Sequence, residues 1–215
     1  MGVDSGFIGK NLKKKLKNRF NLICPKSGNK FDIKNKKQLK KFINKDIDIV
    51  INLSGQISNN EKKMFNIIVK GNENIIDIIQ QLKKDIIVFY FSTTLVYGFS
   101  AKVLNEDSKK NPFSKYALFK SIAEKKYVNS KIKFKILRIA NVYNDSKVGI
   151  VKNIINNIIN NKKIIFTNLK TFRNYIHIDD LVNIFYKIVQ RKLKKNIYNI
   201  GHENKSLKSI LIYLK

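Results

Sequence analysis

Apolar residues along this chain alternate between two rhythms: spacings of three and four, and short unbroken runs. The helical spacing predicts helices over 6–18, 35–44, 60–83, 114–129, 148–161 and 180–190, with a last one opening near Leu207. The short runs predict strands over 20–24, 30–33, 48–53, 86–91, 134–139, 164–166 and 196–199. The runs 48–53 and 86–91 lack polar alternation, which is the pattern of strands covered on both faces. Strands separated by helices pair in parallel through right-handed crossovers. The predicted class is α/β, a Rossmann-like doubly wound parallel sheet that receives ligands at the carboxyl ends of its strands. The character changes near Asn144. Residues 1–144 are therefore expected to form the sheet domain, and 145–215 a small, partial C-terminal lobe interleaved with it.

Composition changes this picture little. A chain of 215 residues that is 43% hydrophobic can bury a real core. A net charge of +29 invites a nucleic-acid reading. However, only four of the cations are Arg (Arg19, Arg138, Arg173, Arg191), and the lysines are scattered over helix faces and turns. Phosphate and base readout favours the Arg fork, so the charge reads as compositional drift in an Ile-, Asn- and Lys-rich chain, and nucleic acid is not the expected partner. The single cysteine, Cys24, excludes an intramolecular disulfide and a Cys-cluster metal site, and it reads as a small buried hydrophobe. His177 and His202 are too far apart to suggest a metal. No leader pattern opens the sequence and no apolar run reaches membrane-span length, so a cytoplasmic, reduced protein is expected.

Candidate chemistry gathers around the strand at 86–91. It runs into hydroxyls (Ser92, Thr93, Thr94), and Tyr116 and Lys120 follow on the helix that Ser114 opens. A Tyr and a Lys at i and i+4 share one helix face. A neighbouring ammonium favours the phenolate, which suits the phenol to general acid–base work on an alcohol oxygen. Tyr127/Lys131 and Tyr143/Lys147 share the spacing but not the preceding strand, hydroxyls and helix start. Near the start, Gly6, Phe7, Ile8 and Gly9 open a helix, where backbone N–H groups can approach a pyrophosphate. Asp32 and Ile33 close the second short strand, where a carboxylate could take an adenine amino group or simply make a turn. Lys26 and Ser27, with no acid beside them to hold a ribose diol, lean toward a 2′-phosphate.

These residues, together with Asn52-Leu53-Ser54-Gly55, the run 137–143 around Arg138 and Asn141, the run 173–180 from Arg173, and 198–201, occur in an order that resembles the extended short-chain dehydrogenase/reductases, specifically the nucleotide-sugar epimerase/dehydratase group. The resemblance implies an enzyme that uses NAD or NADP and acts on a nucleotide-diphosphate sugar by transient hydride transfer. It implies that Thr93, Tyr116 and Lys120 are catalytic. Gly6, Phe7, Ile8, Gly9, Asp32, Ile33, Leu53, Ser54, Gly55 and Lys120 would hold the cofactor, and Thr94, Asn141 and Arg173 the substrate. It also implies pairing of two copies through the helices 60–83 and 114–129, and a setting in surface-polysaccharide synthesis. A 4-keto-sugar reductase using NADPH and a non-catalytic nucleotide-binding relative are the alternatives. The chain departs from the family in having no opening strand before Gly6, Val3 where the first glycine is expected, Ile68 where an Asn is common, and a short C-terminal end.

Overall fold

The computed structural model describes residues 6–25, 31–55, 57–100, 102–144, 172–191 and 193–206, with isolated positions at 156, 157, 159, 160, 162, 208, 209 and 212. The chain divides into two compact units. One is Met1–Arg138 with Lys192–Asn199; the other is Ile139–Arg191 with Ile200–Lys215.

In the first unit, α1 (Phe7–Leu16) starts at Gly6 and turns Leu12 and Leu16 inward. Its last turn carries Lys13, Lys14 and Lys15, the charge sign that a helix C-terminus favours. Asn35 opens α2 (Lys36–Phe42) by accepting from the Gln38 N–H at 3.1 Å. Next comes β1 (Ile49–Asn52). Asn60 then caps α3 (Glu61–Phe65), accepting from Lys63 N–H at 2.8 Å. A π-helical turn over Asn66–Lys70 joins α3 to α4 (Gly71–Leu82), so the helix predicted over 60–83 is continuous but changes pitch. The strand β2 (Ile87–Thr93) is buried from its second residue onward and runs into a 3₁₀ turn, Thr94–Tyr97. Ser114 caps α5 (Lys115–Val128) through Ala117 N–H at 3.2 Å, and β3 (Lys133–Ile139) follows.

β4 (Asn141–Tyr143), β5 (Phe172–His177) and α6 (Ile178–Gln190) belong to the second unit; β6 (Ile197–Ile200) belongs to the first up to Asn199, and β7 (Glu203–Ser206) to the second. The main sheet has the order β1-β2-β3-β6, with β1 and β2 parallel in the register Ile49↔Ile87 to Asn52↔Tyr90. Under it lies one apolar cluster that includes Ile33, Leu39, Ile68, Ile75, Val88, Tyr90 and Ile136. In the second unit, β5 lies between β4, parallel to it, and β7, antiparallel. There α6 buries Leu181, Val182 and Phe185.

Four expectations change. Residues 21–25 form no ladder: a strand exists only as a pair, and none of the described strands pairs with them. Cys24 is accordingly half-buried. The strand over 30–33 reduces, among described residues, to a single bridge at Phe31 followed by a turn. α6 begins at Ile178, two residues earlier than predicted. The strands β4, β5 and β7 were not predicted; β7, Glu-Asn-Lys-Ser, has no apolar residue and is defined by its partner alone. The predicted strand 164–166 lies outside the described residues, as do nearly all of the predicted helix 148–161 and the tail from Leu207. Among the described residues no helix is long and apolar enough to cross a membrane.

Candidate functional site

Lys120 is the centre of the corner between β2 and α5. Its side chain is 2% exposed, and the ammonium donates to Phe91 O at 2.8 Å and Ser54 O at 3.0 Å. It also lies 4.8 Å from the centre of the Tyr90 ring and 5.8 Å from that of Tyr116. One cation thus ties the loop after β1, the end of β2 and α5 together. Burial brings this ammonium down to about 7, and the carboxylate of Glu124 opposes the fall.

Tyr116 sits one turn before Lys120 on α5, half-buried against the core. Burial pushes its phenol up to about 12. This corrects the expectation of a phenol lowered by its lysine: the ammonium donates to two main-chain carbonyls, and desolvation outweighs its pull on the ring. Thr93 ends β2 with its hydroxyl accepting from Leu95 N–H at 3.3 Å, which leaves the O–H to donate. Thr94 follows, half-buried, as the first residue of the 3₁₀ turn. Thr93, Tyr116 and Lys120 therefore share one corner of the first unit, at the carboxyl end of β2.

The residues expected to hold a dinucleotide divide. Gly6 is the N-cap of α1 and offers no side chain to its N–H groups; Phe7 and Ile8 are half-buried and Gly9 is buried. Gly9 also lines a cavity of about 130 Å³ with Leu12, Leu16, Leu22, Val50 and Leu53, among others. Ser54 N–H donates to Asn52 Oδ1 at 3.0 Å, while its buried Oγ has no partner among the described residues. Gly55 has φ +103°, and a Cβ there would stand 2.6 Å from Ile68 Cγ1 and 3.5 Å from Lys120 Cε. An orphaned hydroxyl beside bare backbone at a strand end suits the ribose of a dinucleotide, so these residues fit the cofactor that the resemblance implies. Asp32 accepts from Lys34 N–H at 2.9 Å and pairs with Lys34 Nζ at 3.2 Å, and its carboxylate stays open to solvent. Ile33 is 6% exposed and packs against Gly71, so it is a core residue.

The expected substrate residues Asn141 and Arg173 belong to the second unit. Asn141 donates to Asn174 O at 3.0 Å and is half-buried. Arg173 is exposed, opposite Lys205 in the β5–β7 ladder.

A buried polar network beneath the corner escaped the sequence reading. Glu124, fully buried, accepts from Ser92 Oγ at 2.5 Å, from Arg138 Nε at 3.1 Å and Nη2 at 2.8 Å, and from Lys110 Nζ at 3.2 Å. Arg138 Nη1 donates onward to the Tyr97 hydroxyl at 2.6 Å and to Glu106 O at 2.9 Å. Tyr97 in turn donates to Asn199 Oδ1 at 2.8 Å. Burial raises the Tyr97 phenol although Arg138 pulls it down. A signal was available: Glu124 extends the Tyr116/Lys120 stripe by one more turn, in a chain where only 15 residues are acidic.

The profile of the NAD dependent epimerase/dehydratase family matches residues 4–201. A dTDP-D-glucose 4,6-dehydratase from Dictyostelium discoideum is 31% identical over 186 residues, covering 74% of this chain and 42% of that protein. A dTDP-4-dehydro-6-deoxyglucose reductase from Escherichia coli is 32% identical over 136 residues, 58% of this chain and 43% of that protein. The chain thus spans less than half the length of these curated relatives. Among solved structures, the Bordetella bronchiseptica enzyme WbmG in complex with NAD aligns with a TM-score of 0.81 at 18% identity, over 98% of this chain and 76% of that one. That likeness is one of fold, and it agrees with the α/β Rossmann-like sheet. On the match of its sequence over 4–201, the chain belongs to the NAD-dependent epimerase/dehydratase family.

Proposed function

We propose that this chain carries the cofactor-binding and catalytic part of an NAD(P)-dependent nucleotide-sugar epimerase or dehydratase. The observation that carries the reading is the tethered, nearly inaccessible Lys120 on the same helix face as Tyr116, at the end of the strand that finishes in Thr93. Bound NAD or NADP supplies the acceptor and later donor of a sugar hydride. Gly6 to Gly9, Leu53, Ser54, Gly55 and Lys120 would hold it, with the Asp32 carboxylate taking the adenine amino group and Ile33 beside it. Tyr116, its phenol held up to about 12, carries its proton at neutral pH, the state needed to return a proton to a sugar oxygen. Taking a proton in the other direction needs the Lys120 cation beside the ring to steady the phenolate. Thr93 donates to the same sugar oxygen, and Thr94 lines the sugar beside it. Asn141 and the Arg173 guanidinium suit a diphosphate. The same reading includes a cytoplasmic setting, and a homodimer that would cover the exposed Leu118 and Val128 of α5.

The test is to denature the purified protein and assay the supernatant for NAD(H) or NADP(H), then to supply dTDP- and UDP-hexoses. A stoichiometric dinucleotide and a changed sugar are expected; an empty protein that also fails to bind added dinucleotide sinks the proposal. The likeness to the E. coli reductase favours one second reading, an NADPH-dependent 4-keto-sugar reductase. Net NADPH consumption with a keto-sugar separates the two.

A further inference from the structure

Lys120 and Glu124 dock on consecutive residues of β2, the lysine on Phe91 O and the glutamate on the Ser92 hydroxyl. They stand one turn apart on one face of α5, and both are buried. An ammonium so placed has lost its water, and a negative charge near it favours keeping the proton. We propose that Glu124 is a positioning residue: anchored by Ser92, Arg138 and Lys110, it keeps Lys120 cationic and clamps the hydroxyl-bearing end of β2 to the helix that carries Tyr116. This rests on the reading of Lys120 as a catalytic group.

The other groups around Lys120 do not supply that charge. From β2 it meets the Tyr90 ring, whose phenol burial keeps far above its usual range, and from α5 the Tyr116 ring. From the loop after β1, among the described residues, it meets the Ser54 carbonyl. The ion pairs Lys115–Glu61 and Lys126–Glu73 lie toward the two ends of α5. Arg138 from β3 and Lys110 from the loop before α5 face Glu124, and both are cations. Among the described residues Glu124 is therefore the carboxylate that offsets the burial of Lys120, in keeping with an ammonium that titrates at about 7 and not lower.

The experiment is a proton titration of the cofactor-free full chain labelled with ¹³Cε-lysine, with K120M identifying the Lys120 resonance. In the parent protein this resonance should titrate at about 7. In E124Q it should titrate about one pH unit lower or more, leaving on the order of a tenth of Lys120 charged at pH 7 where about half was before. E124D, which keeps the charge, should restore most of the loss. The limb of the kcat/KM profile that reports Lys120 should move with the resonance, while KM for the sugar stays within about twofold. Should E124Q fail to fold, the E124Q/R138M pair, which removes both buried charges at once, replaces it, with the same direction expected. A Lys120 titration unmoved in a folded variant overturns the proposal. Because the readout needs no dinucleotide, its failure is distinct from a failure of the enzyme reading.

Discussion

At the carboxyl end of β2 the side chains of Ser92, Glu124, Arg138, Tyr97 and Asn199 are tied in one chain of hydrogen bonds. On the other side of the first unit, α1 and residues 21–25 face β1 across a cavity of about 130 Å³, lined mainly by apolar side chains. Both regions belong to the proposed site, one to its proton chemistry and the other to its phosphate end. Apolar contact is non-directional and tolerates slack. A buried polar network does not, since each member that loses its partner leaves a desolvated charge or dipole. Sub-ångström placement is needed where a proton moves. A helix start that receives a phosphate through backbone N–H groups can be held more loosely.

If that contrast is right, the largest effect lies at the network. Arg138→Met leaves the Glu124 carboxylate with Ser92 and Lys110 alone, and should cost about 3–5 kcal/mol in urea unfolding. A cost under about 1 kcal/mol would mean that water reaches the pair and that the corner is no tighter than the rest. Next comes a matched pair of core truncations. Leu39 is fully buried in the main cluster, and Leu12 is 2% exposed but borders the cavity. Leu39→Ala should cost about 4 kcal/mol and Leu12→Ala about 3, because the space beside Leu12 is partly empty already. Equal costs would erase the difference between the two regions.

The same contrast decided what the sequence disclosed. Ile87–Thr93 and α5 could be read because strand runs and helical spacing are properties of single segments. Tyr116 and Lys120 came with them, as i and i+4 on one helix. Residues 20–24 misled because an apolar run records propensity, whereas a strand needs a partner. Glu124 was overlooked, and Arg138 stood in a motif without its partner, because the network joins α5, β2, β3 and the loop before α5, a meeting that no local spacing records. For Tyr116 the sequence pointed to one influence, the neighbouring ammonium; the burial that outweighs it shows only in the packed structure, with the ammonium held on Phe91 O and Ser54 O.

The smallest predicted effect addresses the loose side directly. Gly9 lies inside α1, where glycine costs about 0.5–1 kcal/mol relative to alanine. It also lines the cavity, which a methyl group is expected to fill in part. Gly9→Ala should therefore stabilise the chain by up to about 1 kcal/mol, read as a higher midpoint in urea. If α1 presents its first turn to a pyrophosphate, Gly6→Ala at its N-cap is the change that keeps the dinucleotide away from the backbone, and binding should weaken by about tenfold, or 1.4 kcal/mol. Weakened binding in Gly6→Ala beside an unweakened fold in Gly9→Ala would mean that the two glycines serve different ends, one the ligand and the other the packing. A destabilised Gly9→Ala would mean that the cavity is closed in solution and that the two sides of the unit are packed alike.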